Sequence, residues 1–170
     1  MSEQDGSGMF DCSQAGTSAI AQMARDLRLA TTTDLPVLIS GPPAASREIA
    51  CELDRRSRFP VGAVAIVDCR EPGALHALRS LTHDDIIPGE TPHVRILLLQ
   101  EVHALEPSDQ VLLEKEIEQV RMRPFCPLRI LASSSAPLFE RVVDQLFSER
   151  LFYRLNVIHV VVPPDRRMGE

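Results

Sequence analysis

Five short and continuously apolar runs alternate along the chain with segments of helical periodicity. Strands that are buried on both faces are apolar throughout, whereas half-exposed strands alternate apolar and polar residues. The pattern therefore predicts an α/β fold, with five mostly parallel strands covered by helices on both faces of the sheet. The predicted strands are 35–40, 62–69, 93–102, 126–135 and 156–164.

Apolar residues recur at helical spacing between these runs, as Ile20, Met23 and Leu27 do. Helices are predicted over 17–30, 46–57, 70–81, 108–123 and 137–155, the last in two pieces, and a loop over 83–92. Ligands of open parallel sheets bind beyond the carboxyl ends of the strands. The loops at 41–47, 69–72, 100–103 and 133–137 are therefore the candidate site.

The charge and aromatic content disfavour direct contact with nucleic acid. A formal net charge of −6 opposes a surface that grips phosphates. The chain has no Trp and one Tyr, which argues against a base-stacking platform. With 170 residues, it has the length of one domain with a sizeable core.

The termini and cysteines indicate a cytoplasmic protein. Residues 1–10 show neither the basic nor the apolar region of a signal peptide. The apolar runs fall far short of the roughly 20 residues that span a bilayer. The four cysteines form no C-x-x-C pair, so we expect reduced thiols, with a zinc site as the alternative.

The stretch "GPPAASRE", residues 41–48, follows the first apolar run. A phosphate-binding loop reads G-x-x-x-x-G-K-[ST], and its backbone amides and lysine hold the phosphates. Gly41, Ser46 and Arg47 fall in that register. Taken alone, these eight residues match the motif weakly and are better explained as an ordinary turn between strand and helix.

Other segments, in order along the chain, resemble motifs of one family. Residues 129–157, "RILASSSAPLFERVVDQLFSERLFYRLNV", are similar without a gap to "RIIAATNRDLEALVAEGRFREDLYYRLNV" of the sigma-54-dependent transcription activators, a branch of the AAA+ ATPases. "DQVLLEKEIEQ" resembles that family's "LQAKLLRVLQE", and "SREIACELDRRS" resembles its "GKELVARAIHRHS". The "ILLLQE" run stands where the family has its Walker B strand.

The resemblance implies a P-loop NTPase-like (AAA+) domain of three layers over residues 17–167. Residues 1–16 are then expected to be a disordered lead-in, and 168–170 a tail. The family's G-A-F-T-G-A loop has no counterpart in 70–92, and we expect the helical lid to be missing as well.

The nucleotide-binding positions that the resemblance carries over are altered. The Walker A glycines and lysine correspond to Gly41, Ala44, Ser46 and Arg47, of which Gly41 alone is kept. A Cβ at a glycine position hinders close phosphate approach, and arginine is bulkier than lysine. The full set of cofactor-binding positions for ATP or ADP is Gly41, Ala44, Ala45, Ser46, Arg47 and Glu48.

The catalytic positions are altered in part. Gln100 replaces the metal-orienting aspartate of Walker B, and a neutral amide organises Mg²⁺ poorly. Glu101, which would polarise the attacking water, is kept. Ser134 and Ser135 replace the sensor Thr-Asn pair. Ser148 replaces one arginine finger, and Arg154 keeps the second, which would act in trans.

Three functions stay open at this stage. The favoured one is a degenerate sigma-54-activator-like module in transcription regulation or signalling. It is expected to act by protein contact, without membrane or nucleic acid, and to show weak or no nucleotide binding and negligible ATP hydrolysis. A minimal ATPase that completes its site in a homo-oligomer is the second. A remnant with neither nucleotide nor partner is the third.

Overall fold

A computed structural model of the chain describes residues 12–56, 63–83, 94–122 and 128–163. The strands are β1 (Val37–Ser40), β2 (Ala63–Asp68), β3 (Val94–Gln100), β4 (Arg129–Ser134) and β5 (Ile158–Val161). They form one five-stranded sheet in the order β2-β3-β4-β1-β5, and each neighbouring pair is parallel. The predicted α/β fold is confirmed.

The helices are α1 (Cys12–Thr32), α2 (Pro43–Arg55), α3 (Ala74–His83), α4 (Pro107–Met122), α5 (Leu138–Val143) and α6 (Glu149–Leu155), with a 3₁₀ turn at Val102–Ala104. The division of 137–155 into two helices agrees with the prediction. Within the described ranges, no helix combines the length and the apolar character needed to cross a bilayer.

The sheet separates two apolar clusters, because successive strand residues face opposite sides. Leu38, Leu97 and Leu99 pack with side chains of α3, α4, α5 and α6. Val37 and Ile39 pack with side chains of α1 and α2 on the other side. The domain therefore has three layers, with β1, β4 and β3 at its centre.

Several predicted boundaries differ from the structure. The error that bears on the candidate site is in α2, which begins at Pro43 and not at Ser46, so most of the predicted loop 41–47 is helical. Proline is preorganised for the first helical position, and alanine is the strongest helix former. Helix α1 begins at Cys12, within the expected disordered lead-in.

The strands are shorter than their apolar runs, because backbone pairing stops before the apolar sequence does. The last run, 156–164, pairs only over Ile158–Val161. Of the predicted loop 83–92, His83 ends α3 and the remainder lies outside the described residues. Residues 126 and 127, at the start of the predicted fourth strand, also lie outside them.

Candidate functional site

The carboxyl ends of β3, β4 and β1 lie side by side in the sheet. They carry Gln100, Ser134 and Ser40 respectively, each the last residue of its strand. This edge brings the segment 41–48 next to Gln100 and Glu101, as the sequence predicts for a nucleotide site. The loop after β2 reaches the same edge, since the amide of Cys69 donates to the carbonyl oxygen of Gln100 at 2.8 Å.

The segment that would cradle phosphate is closed into a helical turn. The amide of Ser46 donates to the carbonyl oxygen of Pro42 at 3.2 Å, and its hydroxyl donates to that of Pro43 at 2.8 Å. Pro42 and Pro43 carry no N–H at all. The donors left at this helix end are the amides of Ala44 and Ala45, far fewer than a phosphate loop offers.

The side chain of Gln100 fills the space between β3 and this turn. It is fully buried, and its Nε2 donates to the carbonyl oxygen of Pro43 at 2.8 Å and to the hydroxyl of Ser46 at 2.9 Å. Its Oε1 accepts from Nε of Arg47 at 3.0 Å. We call Gln100, Pro43, Ser46 and Arg47 together the Gln100 bridge. Both hydrogens and the oxygen of the amide are engaged within the protein, so the position does not fit a Mg²⁺ ion.

Arg47 and Glu48 lie on the exposed side of α2. The guanidinium of Arg47 points toward the strand edge, because Gln100 holds its Nε. Asp68, at the end of β2, lies within electrostatic range of that charge. Arg47, at the Walker A lysine position, is therefore at the expected edge of the sheet. Its guanidinium is hydrogen-bonded to Gln100 of the protein itself.

Asp68 belongs to a separate ion pair at this edge. Arg70 donates from Nε and from its backbone amide to Oδ1 of Asp68, at 2.9 and 3.0 Å, and from Nη2 to Oδ2 at 2.6 Å. The hydrogen bond from the Arg70 side chain lowers the pKa of Asp68 to about 2. Asp68 is therefore an anion at neutral pH, with its charge matched by Arg70.

Gly41, the Walker A glycine that is kept, has a packing role. A Cβ on this residue would lie 2.7 Å from Cβ of Val162 and 2.9 Å from its Cγ2. The amide of Gly41 donates to the carbonyl oxygen of Ser134 at 3.1 Å, and that of Val162 donates to Ser40 at 2.8 Å. The Val162 side chain, just after β5, thus lies so close to Gly41 that a Cβ there would force the neighbouring atoms to shift.

Glu101 is buried and has a left-handed backbone, with φ 57° and ψ 44°. Its Oε1 accepts from the amide of Ser135 at 3.1 Å, and its Oε2 accepts from the hydroxyl of Ser135 at 2.6 Å. Holding a non-glycine residue in this region costs on the order of 1–3 kcal/mol. The two hydrogen bonds from Ser135 hold the carboxylate against the loop that follows β4.

His103 joins this network and was not singled out from the sequence. Its Nδ1 lies 3.1 Å from the hydroxyl of Ser134, and its Nε2 lies 3.7 Å from Oε2 of Glu101. The hydroxyl of Ser134 also donates to the carbonyl oxygen of Ala136 at 2.6 Å. Burial lowers the pKa of His103 despite the carboxylate. The one sequence feature that could have identified His103 is its position two residues after Glu101.

The residues at the two arginine-finger positions, Ser148 and Arg154, interact with α6 and α4 of their own chain. Ser148 caps α6, accepting from the amide of Leu151 at 3.2 Å. Arg154 pairs with Glu118 and lies 3.7 Å from Glu114, both on α4. Its side chain is 17% exposed. Arg154 is thus held in cis, and a role in trans stays a prediction.

The cysteines described give no sign of a metal site. Cys51 is exposed, and burial raises the pKa of the Cys69 thiol to about 12. In the part of the chain that the structure describes, no three His, Cys, Asp or Glu side chains are grouped to hold a metal ion.

Comparison with known proteins identifies the family of this chain. A family model for the sigma-54 interaction domain matches residues 15–164. The C4-dicarboxylate transport transcriptional regulatory protein DctD of Rhizobium meliloti (strain 1021) is 25% identical over 88% of this chain. The chain spans 37% of the length of that relative.

Solved structures show the same fold. NtrX from Brucella abortus, in complex with ADP, has a TM-score of 0.63 at 22% identity, over 85% of this chain and 36% of that one. The P-loop NTPase domain of the sigma-54 transport activator from E. coli has a TM-score of 0.59 at 19% identity, over 87% and 96%. The strand-end site therefore lies in an AAA+-type P-loop fold. The chain belongs to the sigma-54 interaction domain family.

Proposed function

We propose that this member of the family acts by protein contact in transcription regulation or signalling, with weak or no nucleotide binding and negligible ATP hydrolysis. The observation that carries the proposal is the Gln100 bridge. Phosphoryl transfer depends on positioning and on electrostatic stabilisation of the phosphates. Here the side chain that would organise the metal is hydrogen-bonded to the turn that would hold the phosphates.

The helical turn at Pro43 supports weak phosphate binding. A phosphate loop wraps its anion with successive backbone amides, and this turn lacks two of them at Pro42 and Pro43. The amide of Ser46 is committed to a helical hydrogen bond. A nucleotide would have to unwind the turn and break the Gln100 bridge before its phosphates could be held.

The catalytic glutamate position supports negligible hydrolysis. Both carboxylate oxygens of Glu101 accept hydrogen bonds from Ser135. A general base must reach the proton of the attacking water. Glu101 would have to leave Ser135 to do so, and Arg154 would have to leave its ion pairs with α4 to act in trans.

Exposed apolar side chains support a protein partner. Exposed apolar patches are typical of interaction sites, and several large apolar side chains are exposed in one segment of this chain. Four large apolar side chains between α5 and β5 are exposed at 49% or more: Val143, Leu146, Tyr153 and Val157. Family relatives are transcription regulators, which is the setting that this proposal extends to the present chain.

Calorimetry with ATP and ADP, with and without Mg²⁺, tests the proposal. We expect no saturable binding below millimolar nucleotide, or weak binding that Mg²⁺ does not strengthen and that Arg47→Ala removes. Arg55→Ala, at the other end of α2 and exposed, is the matched control. A combined Ala44→Gly, Ser46→Gly, Arg47→Lys and Gln100→Asp variant should gain Mg²⁺-dependent binding.

An assay of ATP hydrolysis can overturn the proposal. Hydrolysis that Glu101→Gln abolishes would overturn the proposal. Turnover that rises steeply with protein concentration and falls in Arg154→Ala would favour the alternative, a minimal ATPase completed by a second copy. Absence of both nucleotide binding and any partner in cell extracts would favour the remnant.

A further inference from the structure

A pocket of about 670 Å³ opens over the carboxyl ends of β1 and β5, on the side of the sheet that carries α5 and α6. We call it the β5 pocket. Its lining includes Gly41 and Pro42 but none of Ser46, Arg47 and Gln100. It is therefore separate from the Gln100 bridge, and its volume falls in the range of roughly 300–1,000 Å³ typical of small-molecule sites.

The walls of the β5 pocket are apolar and partly aromatic. Phe139 of α5 and Phe152 of α6 stand on one side, with ring centroids 5.9 Å apart and planes tilted by 54°. Pro42 and Pro137 are part of the same lining, and Leu38 contributes from β1. Flat apolar walls of this kind suit a ring system, because aromatic rings gain from offset or edge-to-face contact with it.

Ser40 and His159 form a polar pair in the pocket lining, which also includes Ser134 and Ser135 at the end of β4. Oγ of Ser40 and Nε2 of His159 are hydrogen-bonded at 2.8 Å across the β1–β5 pair, and both residues line the cavity. Burial lowers the pKa of His159, which favours the neutral imidazole. Such a polar pair in a mostly apolar pocket can orient one polar group of a ligand.

The charge of the lining decides between classes of ligand. Its residues include no Lys or Arg, and its one formal charge at neutral pH is the exposed carboxylate of Glu140. An anion such as a nucleotide would find no cation to pair with there. We propose that the β5 pocket binds a small uncharged aromatic molecule whose polar group hydrogen-bonds to Ser40 or His159.

Indole is a suitable probe because the chain has no Trp, so indole fluorescence reports on the ligand alone. The experiment titrates the full chain with indole and, in parallel, with indole-3-carboxylate, and equilibrium dialysis measures the bound fraction. We expect saturable binding of indole and an affinity at least tenfold lower for the carboxylate. Equal affinities, or no saturable indole binding, would overturn the proposal.

A matched pair of variants locates the binding. Val161→Phe adds a ring to the lining, while Val111→Phe makes the same change on α4, and both valines are 51% exposed. Indole affinity should fall at least tenfold in Val161→Phe and stay unchanged in Val111→Phe. Phe139→Ala, which removes an exposed ring from the wall, is the second variant should Val161→Phe fail to fold.

Sedimentation velocity separates a ligand pocket from an interface between copies. The wild type should be monomeric while it binds indole. A wild-type dimer that Val161→Phe dissociates, with indole bound only after dilution, would show that a second copy covers the pocket and would overturn the proposal. An equal loss of affinity in Val161→Phe and Val111→Phe would do the same.

Discussion

Nε2 of Gln100 donates a hydrogen bond to the carbonyl oxygen of Pro43 across 2.8 Å, joining the last residue of β3 to the first residue of α2. The two residues are 57 positions apart in sequence. An aspartate at position 100 would face that carbonyl oxygen with a second acceptor. The amide therefore matches a helix that starts at Pro43, and the two features support one another.

Gln100→Ala should lower the free energy of unfolding by about 1–3 kcal/mol, because it leaves buried polar partners unsatisfied. Gln119→Ala, an exposed glutamine on α4, is the control and should change stability little. Urea denaturation measures both variants. Equal, small effects would contradict a structural role for the bridge.

Gly41→Ala should destabilise the domain by about 1–3 kcal/mol, since its Cβ would overlap Val162. Because the nearest atom is Cβ of Val162, the second change Val162→Gly should recover part of the loss, whereas Val162→Ala should not. Gly73→Ala is a contrast, since its Cβ meets open space and only its φ of +82° opposes the change. The midpoints of urea denaturation of these variants would show whether packing or phosphate geometry requires Gly41.

Glu101 and Ser135 should be energetically coupled. Residues in direct hydrogen-bond contact show interaction energies of about 0.5–3 kcal/mol in double-mutant cycles. The cycle of Glu101→Ala and Ser135→Ala, measured by chemical denaturation, should fall in that range. Additive effects would mean that the 2.6 Å contact contributes nothing to stability.

Stability should fall as the pH drops below 7. The folded pKa values of His103 and His159 are lowered, mainly by burial, so the unfolded chain binds more protons than the folded one below the ordinary histidine pKa near 6.5. Their destabilising effect is absent above that pH and grows as the pH falls toward the folded values. Asp68, with its pKa of about 2, adds a further loss only below pH 4.

Thermal denaturation at pH 7 and pH 5.5 measures this dependence, and the double variant His103→Asn, His159→Asn should flatten it. His76, exposed on α3, provides the control substitution His76→Asn. An unchanged slope in the double variant would assign the pH dependence to other groups.

The sequence predicts the framework better than the site. Apolar runs such as 93–102 identify the strands, because burial on both faces leaves a signal in composition alone. The start of α2 was mispredicted because the motif register placed a loop where Pro43, Ala44 and Ala45 favour a helix. The altered identity of Gln100 was visible, but its bonds to α2 depend on contacts between distant segments, which no local pattern encodes.

His103 and the pocket over β5 escaped prediction for a related reason. A histidine near Glu101 could equally well face solvent, and only the packed loop after β4 shows that it meets Ser134. The β5 pocket combines β1, β4, β5, α5 and α6, five elements from distant parts of the chain. Such sites arise from tertiary packing and leave no spacing rule in the sequence.

The close approach of Val162 to Gly41 changes how a remnant of an ancestral motif should be interpreted. A residue shared with active ATPases is usually taken as a trace of lost chemistry. In this molecule the nearby Val162 side chain by itself disfavours any larger residue at position 41, whatever became of the ligand. Neutral substitutions could replace the other residues of the nucleotide-binding motif while Gly41 stays in place.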